Sequence, residues 1–236
     1  ADRMQIDTLD KYAKYFGLGT KTGVELRDET SGVLASKETK AKMHPDASYW
    51  APGDTLNAAI GQGDNEFSPL QMAKYISMLA NGGNKIDVSI IKTIRNADGT
   101  EESRDNINKF VKQKLGLSDD DSENLNINQE NLKVVLEGMR SVTEEGTAAS
   151  IFKDFDVAVG GKTGSAEAPG NKVNAWFAGF APFDNPEIAV VVMAENGGHG
   201  YYTADAVKQI MREYFGMNLQ NVTEDVTASP YTETLR

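Results

Sequence analysis

The 236-residue chain contains no cysteine and carries a formal net charge of -11 at pH 7. The lack of cysteine excludes disulfides, thiolate metal sites and cysteine nucleophiles, and the acidic balance argues against a nucleic-acid binder, which needs a basic face. No apolar run in the sequence is long enough to span a bilayer. We therefore expect an acidic, well-solvated surface on one large domain or two small ones.

The first part of the sequence predicts two helices separated by turns. Apolar residues at helical spacing predict a helix from about Asp7 to Phe16. A turn-rich stretch follows from Thr20 to Asp54. The second helix begins at Ser68, which forms a capping box with Gln71, and ends at Asn81–Gly83, where glycines favour a left-handed cap.

The middle of the sequence predicts a strand, a loop and a helix. Residues Val88–Ile94 are rich in β-branched side chains and predict a strand that turns at Asn96–Gly99. Residues Ser118–Glu123 predict an acidic surface loop. The helix after it carries apolar residues on one face, namely Leu132, Val135, Leu136, Met139 and Val142.

The last third of the sequence predicts a small sheet and a closing helix. Strands are predicted over Asp156–Gly164, Lys172–Ala181 and Glu187–Ala194, and their short connections favour an antiparallel meander. A helix over Thr203–Phe215 follows, and the tail over 221–236 is polar. Together these elements predict an α+β fold in which an antiparallel sheet packs with helices.

The segment Gly160–Ser165 contains the most informative motif, Lys162-Thr163-Gly164-Ser165. Strand alternation places the Thr163 and Ser165 hydroxyls on one side, and Gly164 keeps the groove wall between them low. Lys162 supplies a positive charge, and the Ser165 backbone N–H can serve as an oxyanion donor. We interpret the motif as one wall of a serine acyl-transfer site. The plainer alternative is a solvated lysine beside turn glycines, and spacing alone does not separate the two.

A second copy of the tripeptide, Lys21-Thr22-Gly23, has a different setting. It follows the end of a helix and a glycine-rich turn, so it has no strand edge on which to lie. We predict that this copy is part of a loop.

Three further matches to serine acyl-transferase motifs are present, but none is predicted to be the nucleophile site. Ser89 and Lys92 lie in a β-branched run, where residues three apart point to opposite faces. Ser122-Glu123-Asn124 lies in the acidic loop. Ser150 is a better geometric candidate, since Gly146–Phe152 could form a short helix, but it lies too close to the Lys162 strand for Lys153 to lie in a separate central helix. The attacking serine is therefore expected outside this chain.

Nine segments spread over nearly the whole chain form a larger pattern: Tyr15–Val24, Trp50–Asp54, Ile60–Gly63, Ser68–Ala73, Gly138-Met139, Gly146–Ala148, Gly161–Glu167, Ala175–Pro182 and Glu195–Gly200. This pattern resembles the C-terminal part of the class B penicillin-binding protein transpeptidase domain, closest to the elongation-type members. One departure is Ser165, where most members have threonine. Serine retains the hydroxyl and the backbone N–H.

The resemblance implies a penicillin-binding protein/β-lactamase-like fold that is incomplete in this chain. Residues 1–220 would be the C-terminal portion of one transpeptidase domain, with 221–236 as a tail. The nucleophilic serine, its lysine, the Ser-x-Asn motif, two sheet strands and a membrane anchor would all precede Ala1. The chain by itself is then expected to be inactive. The intact protein would act on the extracytoplasmic face of the bacterial membrane.

The resemblance also implies a role for each residue of the motif. Lys162 would join the proton network of the serine and attract the substrate carboxylate, which the Thr163 and Ser165 hydroxyls would bind. The Ser165 N–H would form half of the oxyanion hole, and Gly164 would let the substrate backbone lie flat. The implied reaction cross-links D-Ala-D-Ala stem peptides of peptidoglycan, and β-lactams would bind at the same place. No metal or organic cofactor is implied.

Two alternatives to a transpeptidase remain at this point. One is a non-catalytic binding module with the same fold, and the weaker one is a β-lactamase. Among the remaining polar residues, Gln62 is interpreted as a turn residue rather than a groove residue. His199 is interpreted as a loop histidine, and His44 has no evident partner in the sequence.

Overall fold

The computed structural model describes residues 4–116 and 126–217. The helices in these ranges are α1 (Ile6–Tyr15), α2 (Lys37–Met43), α3 (Pro52–Ala59), α4 (Pro69–Ala80), α5 (Arg104–Leu115), α6 (Gln129–Glu144), α7 (Ala149–Phe152) and α8 (Tyr201–Tyr214), with a 3-10 turn over Pro45–Ala47. The strands are β1 (Gly160–Ala168), β2 (Lys172–Ala181) and β3 (Ile188–Ala194). The predicted acidic loop, Ser122–Asn124 and the polar tail lie outside the described residues.

The three strands form an antiparallel sheet in the order β1-β2-β3. In the register of the first pair, Lys162 lies opposite Ala178 and Ser165 lies opposite Ala175. Within the described parts of the chain, β1 is therefore an edge strand with one side unpaired. The predicted meander and the α+β class are confirmed.

Helices cover both faces of the sheet. Phe177 and Phe180 lie three residues apart on β2, so they project to opposite faces, and both are fully buried. Phe177 packs in a core with Val207 and Met211 of α8. Phe180 packs in a second core to which α4 and α6 contribute. The sheet is thus a middle layer, and β1 is its exposed margin.

The capping box at the start of α4 forms as predicted. The Ser68 hydroxyl accepts from the Gln71 N–H at 3.2 Å, and the Gln71 Oε1 accepts from the Ser68 N–H at 2.8 Å. Gln71 is fully buried, and its Nε2 donates to the carbonyls of Thr20 and Ser31 at 2.8 and 2.7 Å. This one side chain therefore caps a helix and attaches it to the preceding loop.

The predicted strand over Val88–Ile94 is wrong, because side chains bind its backbone. The Glu25 carboxylate accepts from the Ser89 hydroxyl and from the Ile90 N–H. The Arg104 guanidinium donates to the carbonyls of Ile91 and Lys92. In the described residues the segment pairs with no strand, and the isolated bridge between Arg95 and Glu101 lies just after it.

Three helices were not predicted. The turn-rich stretch contains α2 and α3, and α5 follows the turn after residue 94. Their start signals are present in the sequence: Ser36 accepts from the Thr39 N–H at 3.1 Å, and Asp54 accepts from the Ala51 N–H at 2.7 Å. The predicted start of β1 at Asp156 is also wrong, since the strand begins at Gly160 and continues to Ala168 through pairing with β2.

Candidate functional site

Two aromatic rings of β2 pack directly against Gly160 and Gly161, the first two residues of β1. A Cβ on Gly160 would stand 2.4 Å from the Phe180 ring, and one on Gly161 would stand 2.5 Å from the Phe177 ring. Only glycine leaves room for both rings at these positions. Both rings are also buried in the two cores. The position of the start of β1 relative to β2 is therefore fixed.

A groove of about 550 Å³ runs along the margin of the sheet. We call it the β1 groove. Residues 162–166 of β1 form one wall, and Trp176 lies beside them on β2. Residues of α1, α3, α4 and α6 and of the loops beside them form the rest, including Leu9, Ile60, Tyr75 and Val135. The groove therefore combines one polar strand with a largely apolar opposite wall.

The groove walls are polar only in a few places outside β1. Tyr75 lies in the apolar part, where burial raises the pKa of its phenol. The Tyr75 hydroxyl is consequently neutral over the physiological range. The positive charge contributed by the site strand comes from Lys162, whose exposed amine donates to the Thr163 carbonyl at 2.7 Å.

The two hydroxyls of the motif lie on the face of β1 that carries α8. The Thr163 hydroxyl oxygen is 3.2 Å from that of Thr147, in the turn before α7. The Ser165 hydroxyl accepts from the Gly200 N–H at 3.2 Å. A Cβ on Gly200 would stand 2.2 Å from the Gly164 carbonyl oxygen, so the start of α8 lies directly on the site strand.

The backbone of the motif directs polar groups to the open edge. The Thr163 carbonyl accepts from Lys162, and the Ser165 carbonyl accepts from the Gln62 Nε2 at 3.2 Å. Neither donor belongs to β2. Because the N–H and C=O of one strand residue point to the same side, the Ser165 N–H also faces the open edge. This is the orientation that an oxyanion donor needs.

Gln62 is a site residue that the sequence interpretation missed. The sequence predicts a turn residue, and Gln62 is one: Gly61 and Gly63 on either side have positive φ angles of 81° and 72°. The turn also presents the Gln62 side chain to β1. The pattern Gly-Gln-Gly signals the turn, because glycine readily adopts positive φ, but it does not indicate that the side chain contacts β1.

The loop that carries Gln62 is braced from behind. The Asn65 Nδ2 donates to the Ala58 and Gln62 carbonyls, each at 3.2 Å, while its Oδ1 accepts from the Ala35 N–H at 2.9 Å. His44, which has no evident partner in the sequence, has one in the structure: its Nε2 lies 2.9 Å from the Asp64 carboxylate.

The other serine–lysine matches lie away from the groove. Neither Ser89 nor Ser150 lines it, and the Ser89 hydroxyl is bound to Glu25. Ser150 lies on α7, with Lys153 at its C-terminal end. His199 contacts the Tyr202 ring, with centroids 6.5 Å apart. Across residues 4–116 and 126–217, no group of acidic and histidine side chains could hold a metal ion, and no helix is long and apolar enough to cross a membrane.

The match to a family model decides where this arrangement belongs. The model of the "Penicillin binding protein transpeptidase domain" matches residues 1–216. The chain belongs to this family. The resemblance drawn from its nine sequence segments is thereby confirmed.

Known relatives and solved structures of this transpeptidase family are similar over most of the chain. The peptidoglycan D,D-transpeptidase MrdA of Acinetobacter baumannii is 31% identical over 233 residues, which is 89% of this chain and 31% of the relative. The structure of Pseudomonas aeruginosa PBP2 in complex with WCK 5153 is 31% identical, with a TM-score of 0.76, and covers 97% of this chain and 48% of that one.

A complex of Helicobacter pylori PBP2 with MreC shows the same fold at 24% identity. Its TM-score is 0.73, and the match covers 92% of this chain and 37% of that one. These proteins support the transpeptidase fold predicted from the sequence. The chain spans about a third of the length of the curated relative and less than half of each solved chain.

Proposed function

We propose that this chain is the substrate-binding part of a serine-type peptidoglycan D,D-transpeptidase. The observation that carries the proposal is the position of Lys162–Ser165 on an open sheet edge that forms one wall of a 550 Å³ groove. Along this edge Lys162 supplies a charge and Ser165 an outward backbone N–H, and the Thr163 and Ser165 hydroxyls flank the edge from the α8 face. This set suits a ligand with a carboxylate and a peptide-like carbonyl.

The proposed substrates are stem peptides that end in D-Ala-D-Ala, with β-lactams as mimics of them. The terminal carboxylate would be attracted by Lys162 and bound by the Thr163 and Ser165 hydroxyls. The substrate backbone would lie along the open edge of β1 as an added strand, a common way to bind extended peptides. Gly164, flanked by these two residues, allows the close approach that this pairing requires.

The proposed chemistry is acyl transfer in two steps. A serine hydroxyl attacks the carbonyl of the penultimate D-alanine, loses its proton to a base, and expels the terminal D-alanine as an amine that takes up a proton. The amine of a neighbouring stem peptide then attacks the ester and releases the serine. The Ser165 N–H would stabilise the oxyanion in both steps, and losing such a donor typically slows catalysis about 100- to 1,000-fold.

The nucleophilic serine is proposed to lie on a segment upstream of Ala1. The apolar wall of the β1 groove supports this placement, since Ile60 is 75% exposed and Val135 51% exposed there. Apolar side chains that face a groove favour coverage by another apolar surface. A segment packed on this wall would lie beside the Lys162 amine. No metal or organic cofactor takes part in the proposed reaction.

The place of action and the partners are proposed by analogy with the relatives. A cell-wall cross-linking enzyme acts on the extracytoplasmic face of the membrane, held there by an anchor outside this chain. The H. pylori PBP2 structure is a complex with MreC, and we propose that the intact protein likewise joins a protein assembly for cell-wall synthesis.

Labelling with a fluorescent penicillin tests the proposed function. The full-length protein that contains this chain should acquire one covalent label on an upstream serine, identified by peptide mass spectrometry. The chain alone should acquire none. Label on Ser89 or Ser150 would contradict the location of the nucleophile. A full-length protein that takes up no label would favour the non-catalytic binding module.

A further inference from the structure

The contact between Gln62 and Ser165 has an unusual place for a side-chain hydrogen bond. The Gln62 Nε2 donates to the Ser165 carbonyl at 3.2 Å, on the open edge where an added strand would pair. A primary carboxamide offers an N–H donor and a C=O acceptor, the same groups that a peptide unit offers. Gln62 thus makes one of the hydrogen bonds that an additional strand beside β1 would make.

The Gln62 side chain is held on β1 by a single exposed hydrogen bond, while the loop that carries it is held by several. Its donor–acceptor distance of 3.2 Å lies at the long end of the usual range for N–H···O bonds. The loop behind it is attached through Asn65 to Ala35 and Ala58 and through Asp64 to His44. The Gln62 side chain can therefore rotate away while the loop stays in place.

The neighbouring carbonyl on the same edge is bound in a related way. The Thr163 carbonyl accepts from the Lys162 amine at 2.7 Å. Both outward carbonyls of the motif thus have side-chain donors from the protein itself. An incoming peptide that pairs with this edge meets a donor already bound at Ser165.

We propose that Gln62 is a displaceable placeholder for a substrate peptide group and thereby sets the affinity for ligands with an amide N–H. This inference rests on the proposed function, because it assumes that the substrate pairs with β1. An amide N–H of the ligand takes the Ser165 carbonyl, and Gln62 gives up its bond to it. The exchange lowers the affinity for amide-bearing ligands relative to that for ligands that form no bond there.

The placeholder role differs from simple protection of an edge strand. A side chain that only shields the edge from other chains would change solubility or stability when removed, and would not discriminate between ligands. A placeholder changes the affinity for one class of ligand and leaves the chemical step unchanged. The test therefore separates binding from acylation and compares two ligands.

Stopped-flow acylation of the full-length protein measures both quantities. Benzylpenicillin carries a side-chain amide N–H, and penicillanic acid lacks that group. Replacement by leucine (Gln62→Leu) removes the donor at similar size. The dissociation constant of the complex that precedes acylation should fall about two- to ten-fold for benzylpenicillin, which corresponds to one neutral hydrogen bond. It should not change for penicillanic acid, and the acylation rate constant should stay the same for both.

Matched variants guard against indirect effects. Gln62→Ala should reproduce the selective effect without adding an apolar group beside the ligand. Gln113→Leu alters an exposed glutamine on α5, away from the groove, and should leave all constants unchanged.

The possible outcomes separate the placeholder role from the proposed function. Weaker binding of benzylpenicillin by both variants, or an equal change for both ligands, overturns the placeholder role while acylation still supports the transpeptidase. If the parent protein is not acylated at all, the proposed function fails, and the placeholder role fails with it.

Discussion

The two Lys-Thr-Gly copies show how one tripeptide acquires different uses. In the first copy, Thr22 is buried, and the carboxylate of Glu29 accepts from its N–H at 2.7 Å and its hydroxyl at 2.5 Å. The Gly23 N–H also donates to that carboxylate, at 3.2 Å. In the second copy, Lys162–Gly164 lies on a strand, and its residues line the β1 groove.

Both settings suit a carboxylate, but only one is open to a ligand. In the first copy the protein supplies the anion itself, so the donors are used for loop structure. In the second copy the donors face a groove. The first copy shows that the donors of this tripeptide bind a carboxylate, which supports the proposal that the second copy binds a carboxylate of the substrate.

The lysines should give the largest contrast between the copies. We expect Lys162→Ala to slow penicillin acylation of the full-length protein about 100- to 1,000-fold, the size of effect seen when a group that stabilises developing charge is removed. Lys21→Ala should leave the rate unchanged. Rates from gel-based fluorescence measure both variants. Equal losses in the two would break the distinction between them.

The contact of Gly200 with the second copy should give the next largest effect. In Gly200→Ala, the added methyl would collide with the Gly164 carbonyl, and overpacking of this kind costs about 1–3 kcal/mol. The free energy of unfolding in urea should fall by that amount, and acylation should slow as the strand shifts. Gly53→Ala is the control, since a Cβ there meets nothing within 4 Å.

The Glu29 carboxylate, which binds the first copy, should affect the stability of the protein and not its acylation. Glu29→Gln weakens the charged hydrogen bonds to Thr22 and Gly23, and we expect a loss of about 1–2 kcal/mol in urea unfolding. The folded fraction should be acylated by penicillin at the parent rate. A slower rate at equal folding would show that the first copy contributes to the site.

The region of the first copy should contribute its own pH dependence to stability. Burial on its own raises the pKa of Glu25, but hydrogen bonds from Ser89 and Ile90 and the charge of Arg104 together outweigh it and hold the pKa below its usual value. A carboxyl whose pKa is lowered by folding stabilises the protein above its unfolded pKa of about 4.3. That stabilisation is lost as the pH falls through the folded pKa.

The variant Glu25→Gln makes this pH dependence measurable. The difference in urea midpoint between parent and variant should be present at pH 6 and should shrink below pH 4. Penicillin acylation at pH 7 should be the same in both proteins. A difference in midpoint that stays constant down to pH 3 would contradict the assigned cause.

Local signals in the sequence predict the parts of the fold that depend on short-range chemistry. The capping box at Ser68 and the bounds of β2 are both confirmed. The strand predicted at Val88–Ile94 fails because Glu25 and Arg104, distant in sequence, bind its backbone.

The same limit applies to the site. The motif Lys162–Ser165 is recognisable from its letters and strand spacing, and the structure brings all four residues to one groove wall. The contact of Gln62 with Ser165 joins residues 103 positions apart, so no local pattern reveals it. The residues that contact the site strand from distant loops can be identified only in the folded structure.

Under the proposed function, the close contact between Gly200 and the site strand bears on the evolution of drug resistance. Helix α8 is 14 residues long and begins at this contact, so it meets the strand without an intervening side chain. Substitutions at buried residues of α8 such as Val207 and Met211, which pack on the sheet and do not line the groove, are therefore expected to move the strand by small amounts. Surveys of variants that lose sensitivity to an inhibitor should include this helix as well as the pocket.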